Sequence, residues 1–523
     1  MRKILAALLL ALFASTAAQA KWYEASSEHF VIYADDSEED ILRFAENLER
    51  YHSAMSLVTG RAIETPSPSN RVVIFVAGGK GDMRELTGSR WVGGFYVARA
   101  GASRAFVQTI RNKSGYPHFS TVILLHEYAH HFLISSARHS MPRWLGEGAA
   151  EFFAASSFDS EGGMQLGMPA RHRANEISYA GIPPVEYLLD PKAFVESDRE
   201  ASGSFYGASW ALFHMLIFDD ARKGQLTSYW RLLNEGTDSL EAGKQAFGDL
   251  EQLDKDLKKY LKQKRMSLFR IGPDQLTTRP VTLRELPKGE AKMMDVRIVS
   301  QHGVTREEAL DLVEEARKIA AKYPDDAGVQ VALAEAEFDA GFNEAAIAAA
   351  DRAIALDPSR PNAYVQKGYA QFSIAEEAED KDAAYATAME TFSALNRLEN
   401  DHPVPLIHYY RSFVERGAEP SETARHALER ASQLAPFDKA LAMNAAMMQA
   451  GEGKIALALV GLSPVANNPH GGELADTARL YVAQLEKAEE GTPWQPEEGE
   501  AKATGNEAKD PVAEGAAKKP TGS

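Results

Sequence analysis

Five prolines recur at a nearly constant interval in the second half of this 523-residue chain, and each follows a stretch with helical spacing of apolar residues. The intervals are 34, 45, 33 and 33 residues, and the longest equals one 34-residue period plus the eleven-residue acidic piece "AEEAEDKDAAY". A fixed period of this length predicts helical units that bury their apolar faces by stacking on their neighbours. The prolines are Pro324, Pro358, Pro403, Pro436 and Pro469.

Small residues recur at matched distances before two of these prolines, where paired helices must approach closely. The pattern resembles the tetratricopeptide repeat (TPR), a helix pair of about 34 residues. The resemblance implies an all-α, TPR-like helical solenoid over residues 304–490, whose concave groove would hold a protein substrate or partner. The matched residues are Ala353, Ala346 and Ala334 before Pro358, and Ala431, Ala424 and Ser412 before Pro436.

The N-terminal half has a mixed pattern. Runs of β-branched and aromatic residues predict strands at 29–35 and 71–78, near Gly93 and near Arg104. Between the first two, "EEDILRFAENLERYHSAMSLV" has the spacing of an amphipathic helix. The chain then becomes helical, so this half is predicted to be an α+β domain.

We divide the chain accordingly. The α+β domain is assigned to residues 21–265, a linker to 266–303 and a disordered acidic tail to 491–523. The tail is rich in Glu, Ala, Lys, Gly and Pro and has almost nothing to bury. The linker is assigned from its proline content, at Pro273, Pro280 and Pro287.

Residues 1–20 have the features of a secretory signal. Arg2 and Lys3 precede a short apolar run, and "AQA" precedes Lys21. The alternative is an uncleaved membrane anchor, but the run is short and ends in small residues. No other apolar stretch is long enough to span a bilayer. We expect a cleaved signal and a periplasmic or secreted protein.

Charge and cysteine content exclude several classes. The formal net charge is −17, and no basic block with interleaved aromatic residues is present, so a nucleic-acid partner is not expected. The chain contains no cysteine, which rules out disulfides, thiolate zinc ligands and a lipid-modified N-terminal cysteine. An exported chain without disulfides is typical of a soluble periplasmic protein.

The stretch "HEYAHHFL" carries the strongest chemical signal. On an uninterrupted helix His126 and His130 lie about 40° apart on one face, so both rings can bind one zinc ion. Glu127 lies about 100° from His126, within reach of a water molecule at the metal. The alternative is a chance spacing on a polar helix. His131 points off the ligand face and is interpreted as a packing histidine.

The segment "PRWLGEGAAEFFA" strengthens the zinc hypothesis. A catalytic zinc takes three protein ligands and one open position. This second helix offers Glu147 and Glu151 one turn apart, and 16 residues separate His130 from Glu147.

The two segments together resemble the gluzincins, zinc peptidases of the thermolysin-like and aminopeptidase N-like group, and within them the peptidase-MA-like domains. "WLGEG" matches their W-L-x-E-G pattern. The resemblance implies a zincin-like fold in which Glu147 is the third zinc ligand. It also implies that Glu151 hydrogen-bonds a ligand histidine, which would fix the tautomer of that ring. The alternative for Glu151 is a solvated carboxylate on the helix surface.

A tyrosine extends the resemblance, and one missing strand departs from it. In "FYGASWALFHML", Tyr206 stands where aminopeptidase N-like enzymes place a tyrosine whose hydroxyl supports the oxyanion; the alternative is a core aromatic residue. The G-x-M-E-N strand that binds a free amine in aminopeptidases is absent, and "VGGFYVA" at 92–98 carries no acid. Internal cleavage of an extended peptide is therefore favoured over removal of N-terminal residues.

Two functions follow from these patterns. The first is a zinc endopeptidase, in which His126, His130 and Glu147 bind Zn²⁺, Glu127 is the general base and Tyr206 stabilises the oxyanion. The repeats would then hold a protein substrate or partner. The second is a non-catalytic periplasmic binding or assembly protein that uses the repeats on a peptidase-like scaffold. Retention of Glu127 beside the metal ligands favours the enzyme.

Overall fold

The structure is a computed structural model. It describes the chain from residue 21 to residue 496 with short gaps, and the predicted signal (1–20) and most of the predicted tail (497–523) lie outside the described residues. Within these residues, no helix combines the length and the apolar character needed to cross a bilayer. The described ranges are 21–62, 64–89, 92–111, 115–136, 141–190, 203–468 and 471–496.

A six-stranded sheet forms the centre of the N-terminal region, with strand order β4-β5-β3-β2-β1-β9. β2, β3 and β5 run parallel to one another, whereas β1 and β9 at one side and β4 at the other are antiparallel to their neighbours. A second sheet has three antiparallel strands in the order β6-β7-β8. The bounds are β1 Tyr23–Ser26, β2 Phe30–Ala34, β3 Val72–Val76, β4 Gly94–Val97, β5 Arg104–Val107, β6 Ser157–Phe158, β7 Met164–Leu166, β8 Phe269–Ile271 and β9 Thr282–Glu285.

The four strands expected from β-branched and aromatic runs are present as β2 to β5. Alternate residues of β2 enter different cores: Phe30 and Ile32 pack with the helices on one face of the large sheet, and Val31 and Tyr33 pack on the other. Strands buried on both faces have continuous apolar runs, which is why the sequence reveals them. The short strands β1, β6, β7, β8 and β9 have no such run and were not predicted.

Ten helices lie between residues 38 and 260 in the described part of the chain. The first, α1, matches the amphipathic helix expected from the sequence, and with α3 it covers one face of the large sheet. The bounds are α1 Glu38–Thr59, α2 Lys80–Thr87, α3 Phe119–Ser136, α4 Arg143–Ala154, α5 Ala174–Ala180, α6 Val185–Leu189, α7 Phe205–Phe218, α8 Gln225–Asn234, α9 Ser239–Phe247 and α10 Leu250–Tyr260.

The segment 266–303, expected to be a linker, is instead part of the folded structure. It contains β8, β9 and two helices, α11 Lys288–Lys292 and α12 Met294–His302. Its Leu286, Met294 and Ile298 fill the second face of the large sheet. The linker prediction is therefore corrected. A sheet that is apolar on both faces needs a cover on each, and the prolines of this segment mark turns between elements rather than a flexible connection.

The C-terminal region is all-helical and consists of antiparallel helix pairs. Four of the expected prolines fall where one pair gives way to the next: Pro324, Pro358 and Pro436 lie between helices, and Pro403 opens one. Pro469 lies outside the described residues. The bounds are α13 Arg306–Lys322, α14 Ala327–Asp339, α15 Asn343–Leu356, α16 Pro361–Glu377, α17 Lys381–Leu398, α18 Pro403–Val414, α19 Glu422–Leu434, α20 Lys439–Gly451, α21 Ile455–Ala466 and α22 Glu473–Leu485.

The irregular interval in the proline pattern has a structural explanation. The eleven-residue acidic piece spans the end of α16 and the start of α17, and these helices have 17 and 18 residues, against 13 and 14 in the preceding pair. The insertion therefore lengthens both helices and leaves the pairing intact. The six small residues that matched the repeat pattern are all buried: Ala334, Ala346, Ala353, Ser412, Ala424 and Ala431.

The described end of the chain packs against the last repeats. Trp494 lies against the apolar cluster of α20, α21 and α22, and its backbone N–H donates to Ala450 O at 2.9 Å. Residues 491–496 thus depart from the disordered tail expected over 491–523, because one tryptophan in this polar segment finds an apolar surface to bury against.

The repeats bend back onto the sheet region at the end where β3 begins and β4 turns into β5. Ser69 N donates to Glu399 Oε1 at 2.9 Å, Asn70 Nδ2 donates to Leu434 O at 2.7 Å, and Ala100 N donates to Asp438 Oδ2 at 2.9 Å. The repeat region is therefore joined to the sheet region both through α11 and α12 and through these direct contacts.

Candidate metal centre

The helix that carries the first two candidate ligands is held firmly against α1. Tyr51 OH of α1 donates to Leu125 O at 2.9 Å, and His52 Nδ1 lies 2.7 Å from Tyr128 OH. These contacts flank His126 on α3. The apolar residues of α3 pack into the main core, which turns His126 and His130 toward α4.

The third candidate ligand depends on a close approach between α4 and α7. A Cβ atom on Gly148 would lie 2.5 Å from Ser209 O, a main-chain atom that cannot move without displacing α7. Glycine at this position lets the two helices touch. Trp144, fully buried one turn earlier, also fixes α4 by donating from Nε1 to Tyr229 OH at 2.9 Å. Glu147 is thereby placed opposite the two histidines.

His126, His130 and Glu147 converge on one point. His126 Nε2 lies 3.1 Å from His130 Nε2 and 3.2 Å from Glu147 Oε2, and His130 Nε2 lies 3.3 Å from Glu147 Oε2. Donor atoms at about 2.0–2.1 Å from one tetrahedral ion are separated by about 3.3 Å. The triangle has the size that a small four-coordinate ion requires, and its two imidazoles and one carboxylate are ordinary ligands for such an ion.

Glu151 supports the first histidine from behind. Its Oε1 lies 3.1 Å from His126 Nδ1, the ring nitrogen on the side away from Glu147. The two groups expected to form a carboxylate–histidine pair are thus adjacent, and the pair leaves Nε2 directed at the triangle. Burial alone would lower the pKa of His126, but hydrogen bonds with Glu147 and Glu151 outweigh burial and raise it to about 10.

Two basic residues that were not predicted from the sequence bind the carboxylate of Glu151. Arg173 Nε and one of its terminal nitrogens lie 2.9 and 2.6 Å from Glu151 Oε1, and His172 Nε2 bonds the other carboxylate oxygen. Burial raises the pKa of Glu151, yet contacts with His126, His172 and Arg173 hold it well below its usual range. The local sequence "RHR" gives no sign of this role, because Arg173 meets Glu151 only in the folded chain.

Tyr206 and Glu127 lie at the edges of the triangle. The Tyr206 ring is half-buried at the start of α7, 6.4 Å from the His126 ring between centroids, and the Arg173 guanidinium lies 4.7 Å from its centre. Burial, followed by the charge of Glu147, raises the pKa of Tyr206. Glu127 is half-buried on α3, and its charge acts on Tyr96 of β4 and on Lys439 of α20. Glu127 lies one helical turn before His131, whose ring contacts Tyr96 and Phe437, so it faces the side on which β4 and the repeats lie.

His131 is a packing residue, as expected. Its Nδ1 lies 2.7 Å from Tyr96 OH, and its ring stacks on Tyr128 and on Phe437 of the repeat region. Burial lowers the pKa of His131 to about 3. The residue therefore holds α3, β4 and the repeats together as a neutral ring.

The solved structures similar to this chain include TPR proteins that cover little more than a third of it. No family model and no curated protein matches the chain. A thermophilic TPR protein from Thermus thermophilus shares 14% identity with a TM-score of 0.30, over 38% of this chain and 97% of its own. Two structures of MamA, one a double mutant, share 16% identity with a TM-score of 0.25, over 38–39% of this chain and 95% of theirs. Likeness at this level carries no argument about function.

Proposed function

We propose that the protein is an exported zinc-dependent endopeptidase of the gluzincin type. The observation that carries the proposal is the triangle of His126 Nε2, His130 Nε2 and Glu147 Oε2, with edges of 3.1–3.3 Å. Two histidines and a glutamate with a remaining open position form the ligand set of many catalytic zinc sites. The carboxylate of Glu151 behind His126 is the kind of partner that such ligands use to fix their tautomer.

The residues around the triangle suit peptide hydrolysis. Zinc held there would supply a Lewis acid that polarises a carbonyl group and lowers the pKa of water. Glu127, on the next position of α3, would accept the proton of the attacking water and return it to the leaving amine. Tyr206 would donate a hydrogen bond to the oxygen that becomes negative in the transition state.

An edge strand beside the triangle favours an extended peptide as the substrate. β4 ends the six-stranded sheet, and all four of its residues are partly exposed. It lies against α3, since a Cβ atom on Gly94 would be 3.6 Å from Ser120 O and 3.9 Å from Ile123 Cγ2. The free backbone groups of an edge strand can pair with an added strand. A peptide aligned on β4 would pass along the side of α3 that carries Glu127.

The first test of this proposal is metal content. We expect protein purified without chelator to contain about one zinc per chain, because three ligands on two adjacent helices suit this ion. Removal of zinc by a chelator should abolish cleavage of casein, and added zinc should restore it. Elemental analysis and a casein assay on the same sample measure both effects.

A ligand variant provides the control for that test. His126→Ala should lose both zinc and cleavage, whereas His426→Ala, an exposed histidine on α19, should keep both. A wild-type protein that neither contains zinc nor takes it up on titration would contradict the proposal.

A second expected result concerns the hydroxyl of Tyr206. Tyr206→Phe should lower kcat by about 10² with little change in KM, because the hydroxyl acts only when charge develops on the substrate oxygen. Zinc content should stay unchanged. Tyr179→Phe is the matched control, since Tyr179 is 91% exposed. Activity of Tyr206→Phe within about threefold of wild type would remove Tyr206 from the mechanism.

A second candidate function is protein binding by the repeats without catalysis. It is favoured by a groove of about 700 Å³ in the repeat region, lined by Phe338, Ile374, three acidic side chains and one amide. A protein segment could lie there, as helical repeats allow. Zinc-loaded protein without any proteolytic activity, but with a partner bound through this groove, would favour this function over the enzyme.

A further inference from the structure

The repeat region reaches the rim of the metal centre through the start of α20. Phe437 stacks on His131 with ring centroids 4.2 Å apart, and His131 directly follows the ligand His130. Asp438, which caps α20, accepts the Ala100 N–H in the turn after β4. The first residue of α20, Lys439, is therefore positioned between the ligand-bearing turn of α3 and the end of the edge strand.

Lys439 carries a positive charge into this junction without a direct countercharge. In the described part of the chain, its ammonium donates a hydrogen bond to Asn468 Oδ1 and forms no direct ion pair. The charges of Glu127 and Glu147 act on it from the metal centre. Burial lowers its pKa, so the surroundings penalise the charge that it carries.

The position is unfavourable for lysine on local grounds as well. A cation in the first turn of a helix opposes the helix dipole, which favours negative charge there. A partly desolvated ammonium whose partner is a neutral amide is also costly unless an anion joins it. Residues that are unfavourable in their local structure are found mainly at functional sites.

We propose that Lys439 binds a carboxylate of the peptide substrate, so that the repeat region forms one wall of the cleft. This inference rests on the proposed peptidase function. A peptide aligned on β4 would meet the repeats where β4 ends, next to Asp438 and Lys439. The carboxylate is either the C terminus of the peptide or an acidic side chain, and the two sources share the same chemistry toward an ammonium.

The test uses the full chain and matched peptides derived from casein. One series replaces a single Glu by Gln at successive positions, and a second compares free with amidated C termini. Lys439→Gln should raise KM about tenfold for the peptide whose carboxylate it binds, because a charge-assisted hydrogen bond is lost. KM for the corresponding amide should change less than about twofold, and Lys439→Arg should retain most of the preference.

A lysine elsewhere in the repeats provides the control. Lys454 precedes α21 and pairs with Glu452 on the surface, so Lys454→Gln should leave both peptide series unchanged. If the preference lies in the C-terminal series, the carboxylate is terminal; if it lies in the Glu series, it is a side chain. Equal changes for every acid and amide pair in Lys439→Gln would overturn the inference.

Binding measured by calorimetry separates this inference from the proposed function. The Glu127→Gln protein should bind the same peptides with the same preference, which Lys439→Gln in that background should remove. If the wild-type protein prefers peptides with the carboxylate but hydrolyses none of them, the peptidase function is refuted and the role of Lys439 is kept. If the wild-type protein hydrolyses peptides without any such preference, the role of Lys439 is refuted and the peptidase function is kept.

Discussion

Replacing Glu127 by glutamine is expected to reduce peptide hydrolysis by about 10²–10⁴-fold while zinc content stays at the wild-type value. Glutamine keeps the shape of the side chain but cannot accept the proton of the attacking water. Glu127 is not a member of the donor triangle, whose atoms come from His126, His130 and Glu147. Elemental analysis and steady-state rates on one preparation measure the two quantities.

Comparison with a ligand variant shows whether Glu127 binds the metal or acts only as the base. His126→Ala should lose zinc and activity together, whereas Glu127→Gln should lose activity alone. Loss of zinc from Glu127→Gln would show that Glu127 binds the metal and that the assigned roles are wrong. Retention of full activity would remove Glu127 as the base.

Gly148→Ala is expected to destabilise the N-terminal region by about 3 kcal/mol, near the upper end for overpacking in a core. The added Cβ would lie 2.5 Å from Ser209 O and 2.9 Å from its carbonyl carbon, so α4 and α7 must separate. Because Glu147 and Glu151 lie on α4, a shift of α4 would change their distances to the histidines of α3 and should also weaken zinc binding. Thermal unfolding and zinc titration would record both losses.

Gly146→Ala is the matched control on the same helix. A Cβ atom there would have no neighbour within 4 Å, so the methyl group meets no steric barrier. Alanine is favoured over glycine in a helix by about 1 kcal/mol, so this variant should be neutral or slightly more stable. Similar destabilisation by both substitutions would show that the contact at Ser209 is not the cause.

The candidate site divides into parts that sequence could predict and parts that it could not. The spacing of His126 and His130 fixes their common face, because four residues make slightly more than one helical turn. Glu147 was predicted as a ligand because the next helix resembles the W-L-x-E-G pattern. The fold places its Oε2 within 3.3 Å of both histidines. Arg173 was not predicted, because nothing in the sequence around it indicates that it contacts Glu151.

The sequence by itself determined the elements whose information is local. The proline interval marked four junctions between helix pairs. Runs of apolar residues marked β2, β3 and β5, because burial on both faces leaves a run that a short window can detect. Such patterns depend only on neighbours in the chain.

Only the tertiary structure decided which distant segments meet. The segment 266–303 covers one face of the sheet. Next to α20, Phe437 packs on His131, beside the candidate metal ligands, although Phe437 and His131 are far apart in the chain. Contacts of this kind leave no periodicity in either partner, since each needs only one suitable side chain at the right place. The physical reason is that local propensity fixes the shape of an element, whereas packing of whole elements against one another fixes its neighbours.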